Sequence, residues 1–214
     1  MGEVLPLAIG IAASPFPVIP VILLLFTDRP RAAAWSFLCG WLVGVGVATT
    51  VFVLLAEVLD QSADTPEWAS WLRVVGGAAL VAYGAKQWFG RSADAEQPAW
   101  MRSVSTATPA RAFRLALLLS AANPKVLLLA AAGGLAIGSD DLSVRGDVAA
   151  VVIFTLVASV SVAVPVLAYT LVGDRVLTPL GVARDWLVRN NAAVMAVVLV
   201  VIGLLLLQQG ITDL

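Results

Sequence analysis

The chain has 214 residues, with 13 Lys or Arg, 14 Asp or Glu, no His and one Cys; 60% are hydrophobic, 13% are charged and the mean hydropathy is +0.95. A soluble globular domain is about 45–50% apolar and about 25% charged. The composition therefore excludes disorder, a nucleic-acid module and an ordinary soluble fold, and leaves an all-α polytopic membrane protein.

Six stretches reach or exceed the about 20 apolar residues that a spanning helix needs: roughly 3–27, 33–59, 67–89, 111–138, 145–173 and 190–211. The first has no basic n-region, and Pro interrupts it where the h-region of a signal peptide would continue, so it is expected to remain as a span. Loop one carries Asp28, Arg29 and Arg31, and loop two Asp60, Asp64 and Glu67. Loop three, about 90–110, holds Arg91 and Arg102, with Lys86, Arg111 and Arg114 at its edges. Loop four reads Asp140-Asp141 before Arg145 and Asp147, and loop five carries Arg175, Arg184 and Arg189. Loops one, three and five collect ten basic residues, against Arg73 and Arg145 on the other side. The positive-inside rule then predicts a multi-pass protein of the cytoplasmic membrane, with both termini outside and loops one, three and five in the cytoplasm. Trp68, Trp71, Trp88, Trp100 and Trp186 fall near predicted interfaces, where indoles prefer to sit. Residues 176–188 read as an interfacial helix or a bent lead-in to the sixth span, and Pro98–Arg102 as a surface-lying segment or a plain loop.

The first span contains Ser14-Pro15-Phe16-Pro17 and then Pro20; the fourth contains Asn123-Pro124-Lys125. Aligning Pro15 with Pro124 is a shift of 109 residues, which lays the second span on the fifth and sets Thr50 opposite Ser159. The third and sixth spans correspond once about 13 residues are inserted, and segment 176–188 supplies them. Three spans per unit make the second unit enter from the opposite face, which is the pattern of an inverted repeat with discontinuous helices. The units are 1–89 and 111–214, joined by a cytoplasmic linker over 90–110. Pro lacks an N–H and biases its predecessor away from the α region, so helices one and four are expected to break. The alternative is a Pro kink repaired by neighbouring helices. Carbonyls freed at membrane depth must face protein or a watered cavity.

Lys125 is the main anomaly, about a dozen residues from either end of its span. An ammonium at mid-bilayer costs about 2.5–3.5 kcal/mol on insertion scales. It is either a cationic anchor for an acidic group on a cargo, a proton-coupled switch, or a structural ammonium for carbonyls freed in the opposing helix. Asn123 adds polar atoms at the same break, and Ser14 is its counterpart. Ser159 and Thr50 are further polar candidates on the fifth and second spans. The candidate counter-charges are Glu57, near the outer end of the second span and read as interfacial, and Asp28, at the cytoplasmic end of the first and read as interacting with Arg29 and Arg31. Gly40-xxx-Gly44 and Gly134-xxx-Gly138 fit close helix packing.

With no His, most transition-metal sites, Ser-His-Asp triads and His proton shuttles are excluded, and Cys39 alone makes neither an internal disulfide nor a CxxC pair. There is also no GxSxG motif, so the chain is not expected to be an enzyme or to hold a cofactor or metal. No GxxxxGK[ST] loop is present, so energy for transport would come from an ion gradient or a partner.

Several further motifs accompany the Pro-rich break: Leu25-Phe26-Thr27-Asp28-Arg29-Pro30-Arg31, Gly40-Trp41, Pro98-Ala99-Trp100-Met101, Thr108-Pro109-Ala110-Arg111-Ala112-Phe113 and Ser120-Ala121-Ala122-Asn123-Pro124-Lys125. Together they resemble the GAP family of actinobacterial membrane proteins, which includes the sulfolipid-addressing and glycopeptidolipid-addressing proteins and belongs to the LysE (lysine exporter) superfamily. The resemblance covers most of the chain. It implies six spans in two inverted three-helix repeats and export of peptidoglycolipids or other envelope glycolipids. Pro15, Pro17, Asn123, Pro124 and Lys125 are the residues that match its motifs. The implied partners are membrane lipids and an amphiphilic lipid substrate, with no nucleic acid. Gly-rich faces allow a homodimer or a lipid-synthesis or export complex. Export of a small amino acid or cation is the runner-up, and a non-transporting scaffold of a lipid-export complex the third reading.

Overall fold

The computed structural model of the chain describes residues 4–60, 67–89, 104, 107–140 and 143–212. Asp64, Asp141, the Pro98–Arg102 segment and most of the 90–110 linker lie outside the described residues. The helices are α1 (Val4–Ala12), α2 (Pro15–Leu24), α3 (Pro30–Asp60), α4 (Glu67–Phe89), α5 (Pro109–Ala121), α6 (Pro124–Gly138), α7 (Val144–Val172) and α8 (Leu177–Thr212), with a 3-10 turn Gly173–Val176 before α8. No strand occurs among the described residues.

The first and fourth apolar stretches are broken where Pro predicts. α1 and α2 meet at 46°, and α5 and α6 at 66°. Both breaks have the same local cause. Ser14 (φ −75°, ψ 123°) and Asn123 (φ −83°, ψ 111°) are extended, as a residue before Pro prefers, and Pro15 and Pro124 each open the next helix. Segment 176–188 differs from a separate interfacial element: from Leu177 onward it is continuous with α8.

Among the described residues, Pro30–Ala56 of α3 and the run Val144–Asn190 are long and apolar enough to cross a membrane, and the number is up to four if each of the two bent pairs is one span. The apolar stretches Val74–Lys86 of α4 and Ala193–Leu204 of α8 are shorter. Many large hydrophobic side chains are exposed on the outer surface. Val43, Val47, Val51 and Leu54 of α3, and Val148, Val152, Leu156, Val160 and Val164 of α7, recur at helical spacing and are exposed. Such stripes need lipid rather than water around them. The chain is a membrane protein.

Small residues set how the helices run. Gly40 and Gly44 of α3 lie against Phe113, Ala116 and Ser120 of α5, and Gly134 and Gly138 of α6 lie against Thr49 and Val53 of α3. Numbers rise together in both contacts, so α3 is parallel to α5 and α6. Gly77 of α4 meets Gly203 and Leu207 of α8, whereas Gly84 meets Ala196 and Val200, so that pair is antiparallel. The Trp35 indole N–H donates to Thr170 Oγ1 (3.1 Å), and Gly46 lies by Thr155, so α3 and α7 are antiparallel too. Contacts also cross between the halves of the chain: α3 packs on both α5 and α6, and α7 packs on both α1 and α2.

Candidate functional site: the two broken helices

Among the described residues, the buried polar or charged side chains are Ser14, Thr49, Ser120, Lys125, Thr155 and Ser159. Several of these gather near the two breaks. Gly10, one turn before Ser14, packs against Leu129, one turn beyond Lys125, and against Ile202 of α8. The end of α1 and the start of α6 are therefore side by side. Gly133 of α6 touches Phe154 of α7. α7 opposes α6 in direction, because α7 is antiparallel to α3 and α6 is parallel to it. Stepping from Gly133 back to Lys125 on α6 thus corresponds to stepping from Phe154 past Ser159 to Ser161 and Val162 on α7, at about 1.5 Å per residue.

Lys125 occupies the second position of α6. Pro124 supplies no N–H, and the Lys125 N–H donates to Asn123 Oδ1 (3.0 Å), so Asn123 caps the helix locally. The side chain is 6% exposed, and its Nζ is shut off from solvent with no hydrogen-bond partner. No carboxylate forms an ion pair with it among the described residues. The ammonium also stands at a helix N-terminus, where the macrodipole disfavours a cation. Burial, missing partner and dipole all raise its cost, and none is offset by a contact within the fold. An anion brought to this point would gain from both the ammonium and the helix end.

Ser14 is buried at the first break, and its Oγ lies 3.7 Å from Met195 Sδ of α8, a weak contact. Pro15 and Pro17 are buried as the first and third residues of α2; they remove two of the four N–H groups that a helix start leaves free. Pro124 is exposed and acts through the backbone alone. Ser159 is 1% exposed and its Oγ has no partner; Thr155 Oγ1 and Ser161 Oγ share that condition. Thr50 is not brought to this region. It is exposed, and its Oγ1 donates to Gly46 O of its own helix (2.8 Å). Thr49 is the inward residue, fully buried with its Oγ1 donating to Val45 O (2.9 Å). The adjacent Thr-Thr pair signalled a hydroxyl here without saying which member faces inward. Trp41, which hydropathy reads as an apolar residue, is fully buried with its Nε1 unpaired. Glu57 lies on α3, near its end, and Asp28 is exposed.

A family model described as Sap, sulfolipid-1-addressing protein, matches residues 4–212. No curated protein and no solved structure matches the chain.

Proposed function

Because the chain belongs to the sulfolipid-1-addressing protein family, we propose that it moves an amphiphilic envelope lipid, a glycolipid or peptidoglycolipid, across the cytoplasmic membrane. An acidic group of the lipid meets Lys125 near the midplane, between the breaks of α1–α2 and α5–α6, while the acyl chains stay in the bilayer. Ser14, Asn123 and Ser159 supply polar contacts around that point, and Pro15, Pro17 and Pro124 keep the helices open there. The chain acts as a transporter rather than an enzyme, as in the LysE superfamily.

The topology belongs to the same reading. Six crossings form two inverted three-helix repeats, with both termini outside and the 90–110 loop in the cytoplasm. The alternating helix directions and the reciprocal packing of α3 on α5–α6 and of α7 on α1–α2 support it. The antiparallel meeting of Gly77 with Gly203 is where an in-plane two-fold would pass between the halves.

The observation that carries the reading is Lys125: a buried cation with no partner in the fold. The test is a comparison of surface-extractable lipids from cells carrying the wild type, no copy, Lys125→Ala or Lys125→Arg, at matched membrane abundance. A lipid should leave the surface pool in the null and Lys125→Ala cells. Wild-type surface lipids in both variants would remove the functional role of the amine.

A second reading, a non-transporting scaffold of a lipid-export complex, is favoured by the closure of the fold around Nζ. It expects purified protein alone to move no lipid in proteoliposomes.

A further inference from the structure

At the end of the bundle where α2 turns into α3, a cleft of about 460 Å³ is lined by Arg29, Arg31, Tyr169, Gly173 and Asp174 together with Pro30 and Ala32. Its floor is polar and fixed. The Tyr169 hydroxyl donates to Asp174 Oδ1 (3.0 Å), and Gly173 takes a positive φ of 74° that carries the chain from α7 into the 3-10 turn. Arg29 and Arg31 flank Pro30, are exposed, and make no ion pair among the described residues. Two guanidiniums face one carboxylate, so the lining carries excess positive charge.

The rim has the opposite character. Leu171 and Val172, adjoining Gly173, are 83% and 53% exposed, and Trp35, one turn beyond Arg31, stands exposed with its indole tied to Thr170. Two exposed guanidiniums beside bare apolar side chains and an interface-seeking indole fit an amphiphile, not a free ion. Along α3, Arg31 is about 20 Å from Gly44, which packs on Ser120 just before the second break, so the cleft is separate from the Lys125 region.

We propose that this cleft binds a membrane phospholipid whose phosphate headgroup is held by Arg29 and Arg31, with its chains running down past Leu171, Val172 and Trp35. Guanidinium matches such oxygens two at a time, and the pairing is stronger beside low-dielectric lipid than in water. The inference does not depend on Lys125 or on transport.

The test is native mass spectrometry of the full chain in detergent, offered equimolar phosphatidate and phosphatidylcholine, with inorganic phosphate as a separate competitor. The wild type should retain phosphatidate about tenfold better than phosphatidylcholine, and Arg29→Gln with Arg31→Gln should reduce that preference to near parity. Arg29→Lys with Arg31→Lys should keep part of it, since charge remains and the two-pronged geometry is lost. Arg184→Gln, a nearby half-buried charge on α8 that is paired with Asp185 and set over the Phe26 ring, should leave it unchanged. Undiminished preference in the double Gln variant, or its loss only in Arg184→Gln, would overturn the proposal. Displacement of phosphatidate by inorganic phosphate at equal concentration would overturn the assignment to a lipid.

Discussion

Gly77 of α4 and Gly203 of α8 meet so closely that a Cβ on either would come within 2.7 Å of the other's carbonyl oxygen. Nothing but hydrogen fits between these backbones, and the two helices make one of the main interfaces of the bundle. Gly77→Val or Gly203→Val should therefore force α4 and α8 apart and cost about 1–3 kcal/mol. Gly76, its neighbour, has nothing within 4 Å of the same added atom, so Gly76→Ala should be neutral. Thermal unfolding of the three variants in detergent, followed by circular dichroism, checks the contrast.

The start of α6 is held by a single side chain. Asn123 Oδ1 accepts from the Lys125 N–H, and Asn123→Ala should cost about 1 kcal/mol of stability. Asn123→Asp keeps an oxygen in the cap and adds a carboxylate two residues from the unpaired ammonium. It should match or exceed wild-type stability while lowering export, because the ammonium then has a permanent partner. Melting temperature and surface-lipid content, measured on the same membranes, should move in opposite directions for this variant.

The first break shares its Pro-based cause with the second but carries an additional Pro, so that Pro15 and Pro17 delete two N–H donors that a continuous helix would use. Pro15→Ala with Pro17→Ala restores both and should straighten the 46° bend between α1 and α2. Spin labels placed at Leu5 and Leu23 report this as a lengthened distance by pulsed electron resonance. Export should fall although the protein stays folded.

The breaks were legible because Pro acts locally, through a missing donor and a restricted neighbour; no tertiary information is needed to place Ser14 or Asn123 in extended backbone. The burial of Lys125 was legible for a similar reason, as distance along an apolar stretch is depth. The facing of Thr50 was not. α3 is apolar around its whole circumference, so periodicity carries no phase, and packing against Gly134 turned Thr49 inward instead. The Arg29–Arg31 cleft was equally hidden, because Tyr169 reaches it from the end of α7 and Asp174 from the 3-10 turn that follows. The beginning of α8 lay 13 residues ahead of its apolar run, where Arg184 and Asp185 pair on an exposed helical face that hydropathy does not register.

Ser159 and Thr50 give a test of that phase. Ser159 Oγ is buried without a partner, so Ser159→Ala removes an unsatisfied polar atom and should leave stability unchanged or slightly raised. If its hydroxyl serves the cargo, export should drop in Ser159→Ala. Thr50→Ala, on the outward face, should be silent in both readouts. Lipid export and chemical unfolding of the two variants, run side by side, decide it.

The role of the buried ammonium can be read from stability alone. Lys125→Met keeps nearly the same side-chain length and removes the charge, so thermal melting of this variant in lipid nanodiscs is the most direct measurement. An amine retained for an incoming anion, and bonded to nothing in the resting fold, should give a melting temperature equal to or above the wild type's. A fall equivalent to about 3–5 kcal/mol, the cost of breaking a buried ionic contact, would mean that the amine holds the broken helices together and would contradict its role as a cargo anchor.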